Sequence, residues 1–410
     1  MGAIKTFFYI ITLLFVTFPI GIGCTEAHLI PAESEQIEVK YLNDSQLNHM
    51  DSLLMRRLKA NGFKGTALVA YKGQIIMKYA NGYSDYRTKE KINTESCFQL
   101  ASVSKSFTST AVMMLYEKGQ IQYDDPVQNY IPEFPYPNIS IRNLLQHTSG
   151  LQNYMYLVDH YWKNDSLITN EDVLDLLVEH QLPLNNKPGA RFTYSNTGYV
   201  MLALLVERVS GEKFSTFVDN NIFKPIGMDR SFTFNYSIID TLSNKAVGYN
   251  RVGRRLFRYD YEPNDLVLGD KSIFSTVEDL FRYQKALNSF KLVKEETLLE
   301  AYTKGQTESR YKRSFNYGFG WRFKKDKNRN FIYHNGLWHG FVSTLTREID
   351  HDITVILLNN TSASISSIKN DLINISIREL SKMNIQETTV SSSEIAFQMI
   401  SEISTEMEAE

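Results

Sequence analysis

Strand-type periodicity lies at the two ends of this chain and helix-type periodicity lies between them, which restricts the folds open to it. Near the start, Gly65 to Tyr71 and Gln74 to Tyr79 are strand-like runs separated by Lys72-Gly73, the residue pattern of a tight hairpin. Near the end, Tyr317 to Phe323, Phe331 to His334, Phe341 to Glu348 and Ile353 to Asn359 read as consecutive antiparallel strands. The last two are joined across Asp350-His351-Asp352. Helical spacing occupies the middle, from Ser102 to Lys118, Asp172 to His180 and Asn196 to Ser210, with Gly119 and Gly211 placed where helices stop. One further helix, from Tyr41 to Ala60, precedes the first strands, and another, from about Ile365 to Leu380, follows the last. The expected class is α+β: an antiparallel sheet built from both chain ends, a helical block inserted between its strands, and an active site at their junction.

A chain of 410 residues, 43% of them apolar, can bury a large core. Its formal charge of -2 gives no basic excess, so no nucleic-acid partner is expected and a small-molecule or peptide substrate is. Residues 1–24 carry one cation, Lys5, then an uncharged apolar run from Phe7 to Ile22 and small residues around Cys24, which is the pattern of an export signal. Gly21-Ile22-Gly23-Cys24 also resembles a bacterial lipoprotein cleavage site, with Gly21 where Leu is usual. The expected address is therefore exported, either periplasmic or attached to the membrane through an N-terminal lipid on Cys24. Residues 25–40 read as a linker, 41–384 as the folded domain, and 385–410 as a weakly ordered, Ser/Glu-rich tail. With Cys24 removed or lipidated, Cys97 has no disulfide partner and reads as a small buried hydrophobe.

Three segments carry candidate chemistry. In Phe98-Gln99-Leu100-Ala101-Ser102-Val103-Ser104-Lys105, the serine stands where a helix begins and the lysine follows three residues later on the same face. A serine hydroxyl needs a nearby base, and a desolvated lysine can serve. The helix N-terminus directs free N–H groups toward Ser102, which suits an oxyanion. Second, Pro188-Gly189 leads through a short extended piece to Tyr194-Ser195-Asn196 at the next helix start. There a phenol could relay a proton and an amide could bind both Lys105 and a substrate carbonyl. Third, His334-Asn335-Gly336-Leu337 ends a strand. His334 would sit at the rim, Gly336 would let the backbone approach a ligand, and the Leu337 N–H could be a second oxyanion donor. Read singly, each is equally a helix cap, a packed tyrosine or a strand-end turn.

In this order the three segments resemble the serine β-lactamase and penicillin-binding-protein superfamily. Tyr194-Ser195-Asn196 is similar to the Y-x-N motif of class C β-lactamases, of D,D-peptidases of that type and of related carboxylesterases. The likeness extends to Leu144 to Leu151, Pro225-Ile226-Gly227-Met228, Ser275 to Leu280 and Tyr317-Gly318-Phe319-Gly320-Trp321, and covers about Tyr41 to Leu380. It implies a β-lactamase-like fold with Ser102 as nucleophile, Lys105 and Tyr194 as the proton-transfer pair, Asn196 orienting Lys105 and substrate, and the Ser102 and Leu337 N–H groups as oxyanion hole. His334 then stands where class C enzymes have the lysine of Lys-Thr-Gly. Losing that cation argues for a peptidase or esterase acting by acyl-enzyme formation. The alternatives are a true β-lactamase, and an acylated sensor or non-catalytic scaffold.

Other chemistries lack their signatures. There is no G-x-S-x-G elbow, and the eight histidines show neither H-x-H nor H-E-x-x-H spacing, so no metal and no cofactor are expected. His147 reads as a structural histidine bonding loop backbone. Asn153 and Tyr154 are candidates for the cleft wall, and Gly269-Asp270-Lys271 reads as an ordinary loop with the same alternative.

Overall fold

Alternation on the central strands explains the layers of this fold. β1 (Gly65–Tyr71) and β2 (Gln74–Asn81) form the amino-terminal hairpin. β3 (Tyr249–Val252) and β4 (Arg255–Arg258) form a second, separate hairpin. β5 (Arg322–Asp326), β6 (Arg329–Trp338), β7 (Phe341–Glu348) and β8 (Ile353–Asn359) complete a six-stranded antiparallel sheet in the order β5-β6-β7-β8-β1-β2. The computed structural model describes residues 37–383, apart from 164–165, 236–243, 261 and 309–312, together with 386–390. The expected export segment with Cys24, most of the expected linker and the chain beyond residue 390 lie outside the described residues.

On β8, Ile353, Val355 and Leu357 face one core and Ile356 and Leu358 the other, because successive side chains point to opposite faces. The first core is closed by α1 (Asp44–Ala60) through Met50, Leu54 and Leu58, and by α4 (Ser366–Leu380) through Leu372 and Ile373. The second is the larger and holds the helical block, including α2 (Ser104–Glu117) and α3 (Asn196–Ser210). Local chemistry sets the element ends. Asn43 and Gln46 form a reciprocal cap at the start of α1, and Gly211 in the left-handed region (φ 74°) ends α3. Lys72 (φ 46°) and Gly73 (φ 74°) make the left-handed two-residue turn that a β1–β2 hairpin needs.

Three segments differ from the sequence expectation. The stretch Tyr317 to Trp321 is a buried loop, and the strand starts only at Arg322. Gly320 (φ 77°) lays its backbone so close to α2 that a Cβ there would lie 2.6 Å from Ser109 Oγ. β6 runs past His334 to Trp338, because the turn is made later, by His339 (φ 41°) and Gly340 (φ 84°). Ile37–Tyr41 and Gln386–Val390 pair as antiparallel strands where a linker and a weakly ordered tail were expected. Ile37-Glu38-Val39-Lys40-Tyr41 alternates over only five residues and Gln386–Val390 not at all, so the pairing of the two distant segments defines them.

Gly65 (φ 132°) would put a Cβ 2.0 Å from the Leu358 carbonyl, whereas Gly119 (φ 70°) has open space around that position. Gly65→Ala should therefore lower the free energy of urea unfolding by about 3 kcal/mol or more, and Gly119→Ala by only about 1 kcal/mol. Equal losses would contradict the packing of β1 against β8.

Candidate active site

A strained turn presents Ser102. The strand pair Phe98–Gln99 with Ile273–Ser275 leads into a 3-10 turn, Ala101–Val103, and the α-helix proper begins at Ser104, two residues later than the sequence suggests. Ala101 sits at φ 49°, a conformation that costs a residue with a Cβ about 1 kcal/mol. Hydrogen bonds on both sides hold it there. The Leu100 N–H donates to the Ile273 carbonyl at 2.8 Å, Ser343 Oγ donates to the Leu100 carbonyl at 2.6 Å, and the Ile273 N–H donates to Ser104 Oγ at 3.1 Å. Gly336 makes room for the turn: a Cβ there would lie 2.2 Å from the Leu100 carbonyl and 3.0 Å from Ala101 Cβ. The helix-start spacing therefore yields a half-buried hydroxyl on a braced turn.

Lys105 is fully buried and has three acceptors for its ammonium group. Nζ donates to Ser102 Oγ at 3.2 Å, to Asn196 Oδ1 at 2.9 Å and to the Asp270 carbonyl at 2.8 Å. No carboxylate lies within ion-pairing distance among the described residues. The Asp270 side chain turns instead to the neighbouring buried ammonium of Lys271, at 3.3 Å. The segment Gly269-Asp270-Lys271, expected to be an ordinary loop, thus supplies a backbone ligand to the site. Thr108 Oγ1 fixes it by donating to the Gly269 carbonyl at 2.6 Å. Tyr154 is buried and accepts from Lys271 behind the site, and Asn153 caps its own helix by accepting from the Met155 N–H at 3.3 Å.

Asn196 is the first residue of α3, and its amide oxygen serves Lys105; the N-cap position belongs to Ser195, which makes no side-chain capping bond. Tyr194 packs its ring 4.1 Å from that of His147, with Lys105 Nζ and the Arg322 guanidinium each 5.1 Å from the ring centroid. His147 holds both neighbours of this tyrosine. Its carbonyl accepts the Thr193 N–H at 2.7 Å, and its Nδ1 accepts the Ser195 N–H at 3.2 Å. Accepting at Nδ1 requires a neutral ring with its proton on Nε2. Burial, with the charge of Lys105 next in size, pushes the His147 pKa well below 6.5, in agreement with that state.

His334 is not at the rim. It is buried, Nδ1 donates to the Asn335 carbonyl at 2.8 Å, and Nε2 accepts from the Tyr317 hydroxyl at 3.2 Å. Burial and then the Lys105 charge push its pKa well below 6.5, so it is a neutral brace inside the wall. The pleat of β6 sends the neighbouring Asn335 and Leu337 the other way, and Leu337 is 68% exposed. Because β5 pairs with β6 only from Arg329 to Tyr333, the backbone edge from His334 to Trp338 is left open on that side. Gly336 and Leu337 share a cleft of about 470 Å³ with Ser102 and Tyr194.

Two cations in that cleft had no distinguishing signal in the sequence. Arg322, the first residue of β5, and Lys369, on α4, both line it, and the lining contains no carboxylate. Neither has an ion-pair partner among the described residues. Burial, then Lys324, brings the Lys369 pKa down to about 8. Cys97 stands apart: its thiol donates to the Arg230 carbonyl at 3.1 Å, and burial pushes its pKa up to about 12.

A family model described as Beta-lactamase matches residues 50–377. The chain is 30% identical over 339 residues to Penicillin-binding protein 4* of Bacillus subtilis (strain 168), covering 78% of this chain and 73% of that one. It is 29% identical over 254 residues to Putative penicillin-binding protein PbpX of the same organism, spanning 62% of each. Among solved structures, a penicillin binding protein from Bacillus halodurans matches with a TM-score of 0.68 at 25% identity, over 78% of this chain and 98% of that chain. D-amino acid amidase from Ochrobactrum anthropi SV3 shares the fold, with a TM-score of 0.67 at 20% identity over 82% of this chain and 99% of that one.

The clamp on Tyr194 predicts a chemical rescue. His147→Asn keeps an acceptor near the place of Nδ1 and should retain most of kcat, whereas His147→Leu, which fills the space without accepting, should lower kcat about 100-fold at a similar KM. Equal losses in the two variants would reduce His147 to packing. The buried histidines also set a pH dependence. Their folded pKa values lie below the unfolded value of 6.5, so the unfolded chain binds more protons, and stability present above that pH is lost as the pH falls through and below it. Urea unfolding should lose up to about 1.4 kcal/mol per pH unit for each histidine below about pH 6, and His147→Asn should flatten the slope. An unchanged slope would mean that His147 is protonated in the fold.

Proposed function

The chain belongs to the beta-lactamase family and is a serine hydrolase of that fold, and we propose that it works through Ser102 on peptide-like amides or esters that carry a free carboxylate. The observation that carries this reading is the buried Lys105 ammonium, bonded at once to Ser102 Oγ, Asn196 and the Asp270 carbonyl, at the base of a cleft whose two cations lack ion-pair partners among the described residues. Ser102 Oγ attacks the substrate carbonyl as its proton passes to the Tyr194 oxygen, which acts as a phenolate in this step because the Lys105 ammonium has no lone pair to accept it. The Ser102 N–H and the open edge of β6 at Leu337 receive the oxyanion, at positions fixed before the substrate arrives. The departing amine or alcohol takes a proton through Tyr194, whose oxygen gains negative charge near two cations as the proton moves. Water then cleaves the acyl-enzyme by the same route in reverse.

With His334 where the resemblance sets a lysine, β6 offers no permanent cation, which by itself argues against gripping a carboxylate. Arg322 reverses that argument, since a permanent cation reaches the cleft from the neighbouring strand and can bind a carboxylate with two parallel hydrogen bonds. The relatives are compatible with amide-type substrates: those named above are penicillin-binding proteins, and a D-amino acid amidase shares the fold. Export through residues 1–24, with Cys24 removed or lipidated, belongs to the same proposal and would bring the cleft to substrates outside the cytoplasm.

A panel of p-nitrophenyl esters, D-alanyl peptides and a chromogenic cephalosporin tests the reading. Sustained turnover of an ester or D-peptide is expected, with Ser102→Ala lowering kcat/KM at least about 1,000-fold. A stoichiometric burst without turnover would make the protein a sensor, and cephalosporin hydrolysis as fast as that of the peptides would make it a β-lactamase. Arg322→Gln should raise KM about 10- to 100-fold for a peptide with a free C-terminal carboxylate and change it less than about 3-fold for the same peptide amidated. Equal effects on both peptides would exclude carboxylate recognition by Arg322.

A further inference from the structure

The β3–β4 hairpin takes no part in this chemistry, and its composition is unlike that of the rest of the chain. Tyr249 to Arg258 reads YNRVGRRLFR, with four arginines and no acidic residue, in a protein whose formal charge is -2 overall. The register pairs Asn250 with Phe257 and Val252 with Arg255, so these four side chains share one face of the two-stranded ribbon. On that face Val252 is 58% and Phe257 is 52% exposed, two of the six large hydrophobic residues exposed among the described residues. Arg254 and Arg255 are exposed and have no ion-pair partner among the described residues.

The other face anchors the hairpin. Tyr249 is buried, its hydroxyl donates to Asp85 Oδ1, and its ring packs edge-on at 5.2 Å against Tyr86. The hairpin also stands at the margin of the cleft. The Arg251 N–H donates at 2.9 Å to Ser362 Oγ, a cleft-lining residue, and Tyr259 stacks at 4.9 Å on His339, two residues past Leu337. A rigidly held strip that combines unpaired arginines with an exposed phenylalanine and valine matches a surface that is anionic outside and apolar just beneath.

We propose that this hairpin docks on an anionic phospholipid surface, its arginines against the phosphates and Phe257 with Val252 in the headgroup–acyl boundary, which would hold the Ser102 cleft beside the membrane. A soluble polyanion would satisfy the arginines alone and gives no reason for the exposed apolar pair. The proposal stands independently of the substrate reading.

Co-sedimentation of the full chain with vesicles tests it, and substitutions confined to the hairpin separate its contribution from any attachment through the N-terminus. Binding to phosphatidylcholine vesicles containing phosphatidylglycerol should exceed binding to pure phosphatidylcholine at least about 10-fold, and the difference should collapse in high salt. Arg254→Gln with Arg255→Gln should abolish the difference, and Phe257→Ser should reduce it severalfold, while hydrolysis of a soluble p-nitrophenyl ester stays unchanged in both variants. Equal binding to the two vesicle types would overturn the proposal. So would a Phe257→Ser variant that binds like the parent while soluble polyphosphate displaces both, an outcome that assigns the hairpin to a polyanionic polymer.

Discussion

A buried ammonium group must find hydrogen-bond acceptors or leave the interior, and Lys105 finds three of them, from three separate stretches of chain. Ser102 comes from a turn ahead of α2, Asn196 from the start of α3, and the Asp270 carbonyl from a loop preceding a short strand. Loss of any one acceptor leaves a donor unpaired in a dry site, at a cost of about 1–3 kcal/mol. Positioning the lysine and folding the junction between sheet and helices are therefore one problem. The braces of Ser343 on the Leu100 carbonyl and of Thr108 on the Gly269 carbonyl keep two of those acceptors in place.

Charge in the cleft is arranged by substitution between strands. Where the sequence resemblance sets the lysine of class C β-lactamases, β6 carries His334, which is turned inward and neutral. The cation comes from Arg322 on β5, whose guanidinium lies 5.1 Å from the Tyr194 ring centroid and 5.4 Å from that of Tyr317, with Lys369 adding a second positive group from α4. A guanidinium stays charged at any pH the protein meets, so the grip on an anion does not depend on the histidines, whereas the geometry of Tyr194 depends on His147 remaining neutral.

The periodicity of residues 65–79 and 341–359 was legible because buried strands and tight turns leave local marks, and two helices were legible from apolar spacing, the one from Asn196 to Ser210 also from Gly211 at its end, whereas the one expected from Tyr41 starts at Asp44 because Asn43 caps it. Ser102, Lys105, Tyr194 and Asn196 were legible through spacing and resemblance, and the structure brings all four together. His334 was misplaced because alternation along β6 decides its direction, and the strand end was set at the wrong residue. Arg322 and Lys369 could not be read at all, since an arginine at a strand start and a lysine on a helix look like solvated surface; Gly269-Asp270-Lys271 was read as a loop with the cleft wall as its alternative, but the bond from its Asp270 carbonyl was not legible because a backbone carbonyl has no residue identity. The left-handed conformation of Ala101 was equally invisible, since it is imposed by Gly336 and Ser343 on distant strands.

Locating the covalent bond tests the central claim most directly. The protein is mixed with a slowly released acyl donor, quenched in acid and examined by intact-mass spectrometry and peptide mapping. The account predicts one acyl group per chain, carried on the hydroxyl of Ser102. An adduct on any other side chain, or none at all under conditions where the donor is consumed, would contradict it.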